Sequence, residues 1–223
     1  MSHRYFSFLI FLSSFLFIEV TLAKTVLVTG SNRGMGLEFV SQYAEKGWNV
    51  IATSRSPSDD NDLINLAKVN PNIQIEKMDV TNVNEILSLA DKYEDQSIDL
   101  LINNAGMSGD RANQAWGQID KKEFEKLMSI NAFGALKVSE AFSRNISMSE
   151  EKKIVAISSV AGSISSMGRP SSLPILSISK AALNMAMKTI ALRLKDDGVT
   201  VILMNPGAVD TRALRQAFGL SLE

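Results

Sequence analysis

The sequence predicts an α/β fold, a single doubly wound parallel sheet of about six strands. Short runs rich in Val, Ile and Leu alternate with longer segments whose apolar residues recur at helical spacing. The strand runs are almost continuously apolar, which is typical of strands covered on both faces. Repeated strand–helix units of this kind form parallel sheets with right-handed crossovers.

The apolar runs predict six strands, each bounded by Gly, Pro, Asn, Asp or Ser residues that favour turns. In chain order they are Thr25–Thr29, Trp48–Thr53, Ile73–Met78, Ile98–Ile102, Ile154–Ile157 and Val199–Met204. Five helices lie between them, at Gly34–Lys46, Asp59–Lys68, Val83–Tyr93, Asp120–Ile146 and Pro174–Leu194. Gly47 ends the first helix, Thr81 or Asn82 caps the third, and Pro174 suits the first turn of the last.

Composition narrows the classes of function. The 223 residues, 45% of them hydrophobic, suit one domain with one core, and the net charge of −1 disfavours nucleic-acid binding. The absence of cysteine excludes disulfides, thiolate nucleophiles and Cys-ligated metal sites. The only histidine, His3, lies in the N-terminal segment, which disfavours a Ser-His-Asp triad and a His-ligated metal. No metal site is therefore predicted.

Residues 1–23 are expected to lie outside the domain, which would span residues 24–223. Arg4 precedes an apolar run, Phe6–Ile18, and a small-residue end at Ala23, which is the layout of a signal peptide. We therefore expect export, or anchoring in the secretory or endoplasmic reticulum membrane through residues 6–18. An apolar extension packed on a cytoplasmic domain is the alternative. Asn145-Ile146-Ser147 forms a glycosylation sequon that is consistent with the secretory route.

A glycine-rich loop joins the first predicted strand to the first helix. Glycines permit a tight turn and close approach of a pyrophosphate, and the helix N-terminus offers free N–H groups. Because the loop opens an alternating domain, we predict a dinucleotide site there, with an ordinary turn as the alternative. Its predicted binding residues are Thr29, Gly30, Asn32, Arg33, Gly34, Met35 and Gly36.

The end of the second strand indicates which dinucleotide is bound. In NAD sites an acidic residue there binds the adenosine ribose, but this sequence has Thr53-Ser54-Arg55 and no carboxylate. Arg33 and Arg55 can bind a 2′-phosphate through charge-assisted hydrogen bonds. The sequence thus favours NADP(H) over NAD(H), with two solvated surface arginines as the alternative.

Five motifs follow one another in the order of a known family. They are TGSNRGMG at 29–36, MDVT at 78–81, NNAG at 103–106, ISSVAG at 157–162 and NPGAVDT at 205–211. Over about residues 24–213 the chain resembles the short-chain dehydrogenases/reductases. Its TGSNRGMGLEFV and IATSRSP segments look most similar to the sniffer and C-factor type carbonyl reductases. The resemblance implies a Rossmann-type sheet and hydride transfer between NADP(H) and a small carbonyl or alcohol substrate.

The same resemblance implies roles for individual residues. Asn131, Ser159 and Lys180 match the family's active-site Asn, Ser and Lys. Stabilisation of a helix by Asn131, a strand-end cap at Ser159 and a solvated Lys180 are the structural alternatives. Further cofactor contacts are implied for Asp79, Val80, Asn103, Ala105, Gly106, Lys180, Pro206, Gly207 and Thr211.

The sequence departs from the family pattern at position 176. The family has a Tyr four residues before its Lys, whereas this chain has Leu176. Positions i and i+4 share a helix face, so the leucine would replace the phenol that exchanges a proton with substrate. We therefore expect impaired or altered turnover. A non-catalytic dinucleotide-binding protein with a signalling or interaction role and a poorly folding fragment are the alternatives.

The C-terminal part differs from the family as well. The chain ends 17 residues after Pro206, so the family's final strand is expected to be missing and the edge after Val199–Met204 exposed. The resemblance also implies a homodimer built on the helices Asp120–Ile146 and Pro174–Leu194.

Overall fold

Six parallel strands form the sheet, as the sequence predicts. The computed structural model describes residues 23–209 and residue 215, and the strand order is β3-β2-β1-β4-β5-β6. Each observed strand begins and ends within two residues of its prediction. The bounds are β1 Thr25–Thr29, β2 Asn49–Ser54, β3 Ile73–Lys77, β4 Leu100–Asn103, β5 Lys153–Ile157 and β6 Thr200–Met204.

The helices follow the prediction with one correction. Their bounds are α1 Gly34–Glu45, α2 Asn61–Val69, α3 Val83–Lys92, α4 Lys121–Met128, α5 Ala135–Ala141, α6 Ser143–Ser147 and α7 Pro174–Arg193. The single helix predicted over Asp120–Ile146 is wrong, because a π-helical turn at Ser129–Gly134 separates α4 from α5 and the backbone leaves helical geometry at Phe142. At the start of α3, Asn82 rather than Thr81 is the cap, since its Oδ1 accepts two backbone N–H groups.

Alternating residues of each strand face opposite sides of the sheet. Leu27 and Leu101 pack with Phe142 against the face covered by α3, α5 and α7. Val26 and Val28 pack with Val40 against the face covered by α1 and α2. Both faces are thus buried, which explains why the strands are apolar without alternation.

The last helix and the last strand differ in burial. Among the described residues, α7 is the only helix long and apolar enough to cross a membrane, but its Leu183 and Met187 are buried in the core of this domain. The strand β6 lies at the edge of the sheet, and Ile202, Leu203 and Met204 are 38%, 44% and 41% exposed. Within residues 23–209, β6 is thus the last strand at this side of the sheet, and no seventh strand forms.

Asn145, the acceptor of the sequon, is buried in α6. Its side-chain nitrogen, to which a glycan would be attached, donates to the carbonyl oxygens of Tyr93 at 2.6 Å and Gln96 at 2.9 Å. Only 3% of the residue is exposed. The folded chain cannot accept a glycan there, so the sequon does not support the secretory route.

Replacing Asn145 with alanine is expected to lower the free energy of unfolding by about 2–3 kcal/mol, because two buried carbonyls lose their donor. Urea denaturation measures this change. Ser147→Ala is the matched control, since it removes the same sequon while the Ser147 hydroxyl makes, within residues 23–209, only an exposed hydrogen bond of 3.3 Å to Asp197. An Asn145→Ala variant as stable as Ser147→Ala, or a glycan on folded Asn145, would contradict this assignment.

Candidate active site

The loop after β1 packs closely on the start of α1. A Cβ on Gly36 would lie 2.1 Å from the carbonyl oxygen of Gly30 and 2.6 Å from the side-chain nitrogen of Asn104, so no larger residue fits. Gly30 has a φ of +67°, a conformation that favours glycine. The first N–H groups of α1, from Gly34 to Gly36, have no partner within the helix and form a small positive site.

Two polar side chains fix this loop to the end of β4. The Thr29 hydroxyl oxygen accepts the backbone N–H groups of Asn104 at 3.0 Å and Ala105 at 2.9 Å. In return, the Asn104 amide donates to the carbonyls of Thr29 and Gly30 at 2.9 and 3.0 Å. Sequence reasoning missed Asn104, although it is the second residue of the NNAG motif. The contact lies between β1 and β4, where the strand order reverses and open α/β sheets bind ligands.

A carboxylate lies at the end of β2, contrary to the sequence-based expectation. Asp60 comes from the turn that follows β2, and its Oδ1 accepts the side-chain N–H of Asn32 at 3.0 Å. Its Oδ2 accepts the hydroxyl of Ser54, the last residue of the strand. Arg33 and Arg55 are both exposed beside these residues, and no ion pair within 23–209 joins either arginine to Asp60.

The residues after β3 make local structural contacts. The Asp79 carboxylate accepts the N–H of Thr81 at 2.8 Å and its hydroxyl at 2.7 Å. Val80 is buried and packs on the π-helical turn, where a Cβ on Gly134 would lie 2.9 Å from its side chain. Asp79 thus shapes the turn after β3, and Val80 joins this turn to the π-helical turn.

Asn103, the last residue of β4, is almost fully buried. Its side-chain nitrogen donates to Ser139 Oγ at 2.9 Å. Its Oδ1 is the one buried side-chain polar atom in the described part of the chain that lacks a hydrogen-bond partner. The contact with α5 fits the predicted support of the central strand.

The π-helical turn positions Asn131. Its Oδ1 accepts the N–H of Met107 at 2.9 Å, and its side-chain nitrogen donates to the Met107 carbonyl and to Ser179 Oγ, both at 2.9 Å. Such turns recur at functional sites because they displace one side chain from the regular helix face. Asn131 therefore links the segment after β4 to α7.

Lys180 lies on α7 beside the ends of β4 and β5. Its ammonium donates to the Ile157 carbonyl at 2.7 Å, and burial lowers the pKa of this lysine from 10.5 to about 8. A Cβ on Gly106 would lie 3.3 Å from Asn131 Oδ1 and 3.6 Å from Lys180 Nζ. The structure thus brings Gly106, Asn131 and Lys180 together, and the alternative of a solvated Lys180 is wrong.

Ser159 follows β5 and is held against the same helix. Its Oγ accepts the N–H of Ala161 at 3.1 Å, which agrees with the capping alternative. A Cβ on Gly162 would lie 2.7 Å from the backbone carbon of Lys180, so this turn packs directly on α7. Asn184 fastens it further, because its amide donates to the Gly162 carbonyl at 3.1 Å.

Leu176 lies one turn before Lys180 and is half-buried. Its N–H donates to Oε1 of the fully buried Gln114 at 2.9 Å, and its carbonyl accepts the Ser179 hydroxyl at 2.8 Å. Gln114, which sequence reasoning missed, therefore ties the start of α7 to the segment after β4.

The two described tyrosines make contacts elsewhere in the fold, and neither approaches position 176. Tyr43 packs on Trp48, with ring centroids 4.9 Å apart, and Tyr93 lies within hydrogen-bond distance of Gln74 and Glu76 on β3.

Pro206 and Gly207 follow β6 at the carboxyl edge of the sheet, and Gly207 has a φ of +73°. Thr211 lies outside the described residues. No group of three or more His, Asp or Glu side chains that could hold a metal ion occurs within the described ranges.

This arrangement can bind an anion at the start of α1 and can hold a proton beside Gly106. The anion site is built from backbone N–H groups, whereas the proton belongs to a lysine whose pKa is close to neutral pH. Both lie at the carboxyl edge of one sheet, where nucleotides bind to this kind of fold.

Comparison with known proteins agrees with this geometry. A family model described as short chain dehydrogenase matches residues 24–219. A short chain dehydrogenase of Penicillium aethiopicum is 33% identical over 208 residues, covering 90% of this chain and 81% of its own.

Two solved structures are similar in fold and sequence. A short-chain dehydrogenase/reductase from Burkholderia multivorans with bound NADP has a TM-score of 0.79 and 29% identity, covering 86% of this chain and 82% of its own. The NADPH-bound carbonyl reductase from chicken fatty liver has a TM-score of 0.79 and 30% identity, and the match covers 90% of this chain and 84% of the reductase. The glycine-rich loop, the Asn131–Lys180 cluster and the family match over most of the chain lead to one conclusion: the chain belongs to the short-chain dehydrogenase family.

Proposed function

We propose that this chain binds NADP(H) and acts as an oxidoreductase on a small carbonyl or alcohol. The observation that carries the proposal is the free N-terminus of α1, packed through Gly30 and Gly36 against β4 and lying at the same sheet edge as Lys180. The NADP bound to the Burkholderia relative and the NADPH bound to the chicken carbonyl reductase support this choice of cofactor. The loop sequence favours the sniffer and C-factor type of carbonyl reductase.

The residues present fit such a cofactor. The N–H groups of Gly34 to Gly36 would bind the diphosphate, and Arg33 and Arg55 are exposed to receive a 2′-phosphate. Because Gly106 lacks a side chain, Asn131 and Lys180 lie close to its backbone, and all three would face a ribose or nicotinamide group bound there. Asp79, Asn103 and the segment Pro206–Gly207 would complete the site.

The chain's own residues would orient the substrate and supply the proton. When bound, the nicotinamide supplies or accepts the hydride at the substrate carbon. The Ser159 Oγ only accepts a hydrogen bond in the described part of the chain, so its proton is free to orient the substrate oxygen. We assign Leu176 to the place of the family's tyrosine, and infer that a water held by Ser159 and Lys180 supplies the proton instead.

The second candidate is a non-catalytic dinucleotide-binding protein with a signalling or interaction role. Leu176 favours it, since leucine has no exchangeable proton. Lys180 and Asn131 favour the enzyme, because the desolvated ammonium of Lys180 is kept at the site at a cost in stability and Asn131 lies beside it. NADPH consumption above background that disappears in Lys180→Ala would exclude the non-catalytic candidate.

Two further parts of the proposal concern the localisation and the oligomeric state of the protein. We propose export or anchoring in the secretory or endoplasmic reticulum membrane through residues 1–23, with a cytoplasmic protein as the alternative. The proposed homodimer would use the exposed side of α7, where Ile178 and Met185 are 49% and 68% exposed.

Leu176→Tyr is expected to raise the rate of NADPH oxidation by about 10²–10⁴-fold with a panel of small aldehydes and ketones, because it restores a phenol as general acid. Absorbance of NADPH follows the rate. Leu176→Phe is the matched control, since it adds the ring without the hydroxyl and should stay near the parent rate. If Leu176→Tyr is no faster than Leu176→Phe, the missing phenol is not what limits turnover.

The pKa of Lys180 predicts how stability changes with pH. The unfolded lysine titrates near 10.5 and the folded one near 8, so the unfolded state binds more protons between these values and stability rises with pH. Relative to Lys180→Met, the parent should gain about 2.5 kcal/mol of unfolding free energy between pH 7 and pH 10.

Denaturant unfolding of both proteins at the two pH values measures this difference. The hydrogen bond to Ile157 that Lys180→Met loses lowers the unfolding free energy by a similar amount at both pH values, so it does not change the expected pH dependence. A difference in stability that is independent of pH would show that Lys180 keeps its ordinary pKa.

A further inference from the structure

The carboxylate of Asp60 connects two separate parts of the proposed cofactor site. It accepts a hydrogen bond from Asn32, in the loop after β1, and another from Ser54, at the end of β2. Asn32 lies 28 residues before Asp60 in the chain, and Ser54 lies 6 residues before it. Asp60 immediately precedes α2, a position where aspartate commonly caps a helix. Its side chain makes no capping hydrogen bond, so both oxygens serve the loop and the strand instead.

This position matters because the end of the second strand distinguishes the two dinucleotides. A carboxylate there accepts hydrogen bonds from the ribose hydroxyls of NAD, whereas an arginine there accommodates the 2′-phosphate of NADP. In this chain Arg55 follows Ser54 directly and Arg33 follows Asn32. The adenosine end of the site therefore holds both determinants, with the carboxylate supplied by a turn rather than by the strand.

We propose that Asp60 is a specificity-determining residue that weakens the preference of this chain for NADPH over NADH. The inference rests on the proposed function. Asp60 acts in two ways: its charge repels a 2′-phosphate, and it engages the Asn32 amide and the Ser54 hydroxyl, two neutral donors that could otherwise bind that phosphate. No described ion pair with Arg33 or Arg55 neutralises it.

Isothermal titration calorimetry of the full chain with NADPH and with NADH measures the two Kd values and so tests the proposal. Asp60→Asn is expected to raise the ratio of Kd for NADH to Kd for NADPH by about tenfold, mainly through tighter NADPH binding. Added salt should reduce this gain, because part of it is electrostatic. Asp59→Asn is the matched control, since Asp59 is the neighbouring exposed acid and its carboxylate accepts a hydrogen bond, among the described residues, only from Ser58, at 3.1 Å. In Asp59→Asn the ratio of Kd for NADH to Kd for NADPH should stay within about twofold of the parent value.

Asp60→Ser gives a second test if Asp60→Asn folds poorly, because serine is a favoured helix cap and also removes the charge. An unchanged ratio in both variants, or an equal loss of affinity for both nucleotides, would overturn the inference and leave the proposed function standing. Equal gains in Asp60→Asn and Asp59→Asn would also overturn it, since they would reflect net charge alone. A folded parent that binds neither nucleotide would overturn the proposed function itself.

Discussion

The close contact between the loop after β1 and the segment after β4 is the constraint on which the site depends. Four hydrogen bonds cross this junction, two between Thr29 and Asn104, one from Ala105 to Thr29 and one from Asn104 to Gly30, and Gly36 has no room for a side chain. The contact holds the start of α1 over the point where the strand order reverses. The position of the loop, and of its backbone N–H groups, is therefore set by contacts within the chain itself.

A second constraint is the desolvation of Lys180, which has no acidic partner among residues 23–209. Desolvation is the only cause that lowers its pKa, and its described hydrogen bond goes to a backbone carbonyl. Such a charge weakens the fold at neutral pH, so its presence is better explained by function than by stability. The groups around it are held by direct contacts: Asn131 is hydrogen-bonded to Met107 and Ser179, and the turn at Ser159 packs on α7.

The fold could be predicted from the sequence because it follows from local pattern. The apolar runs located all six strands within two residues, and the glycines of the loop located the proposed nucleotide site. The π-helical turn at Asn131 could not be predicted, since the segment keeps good helix formers on both sides. Asp60 and Gln114 were missed for a related reason: each acts on a residue distant in the chain, and no motif marks where a turn brings its side chain.

The central claim is that a dinucleotide binds where β1 and β4 adjoin, and hydrogen–deuterium exchange of the full chain with and without saturating NADPH tests it most directly. The account predicts slower exchange in peptides covering residues 30–37, 53–56 and 104–108, with little change in α2 or at the exposed edge of β6. Unchanged exchange in these peptides, or protection confined to another face of the sheet, would contradict it.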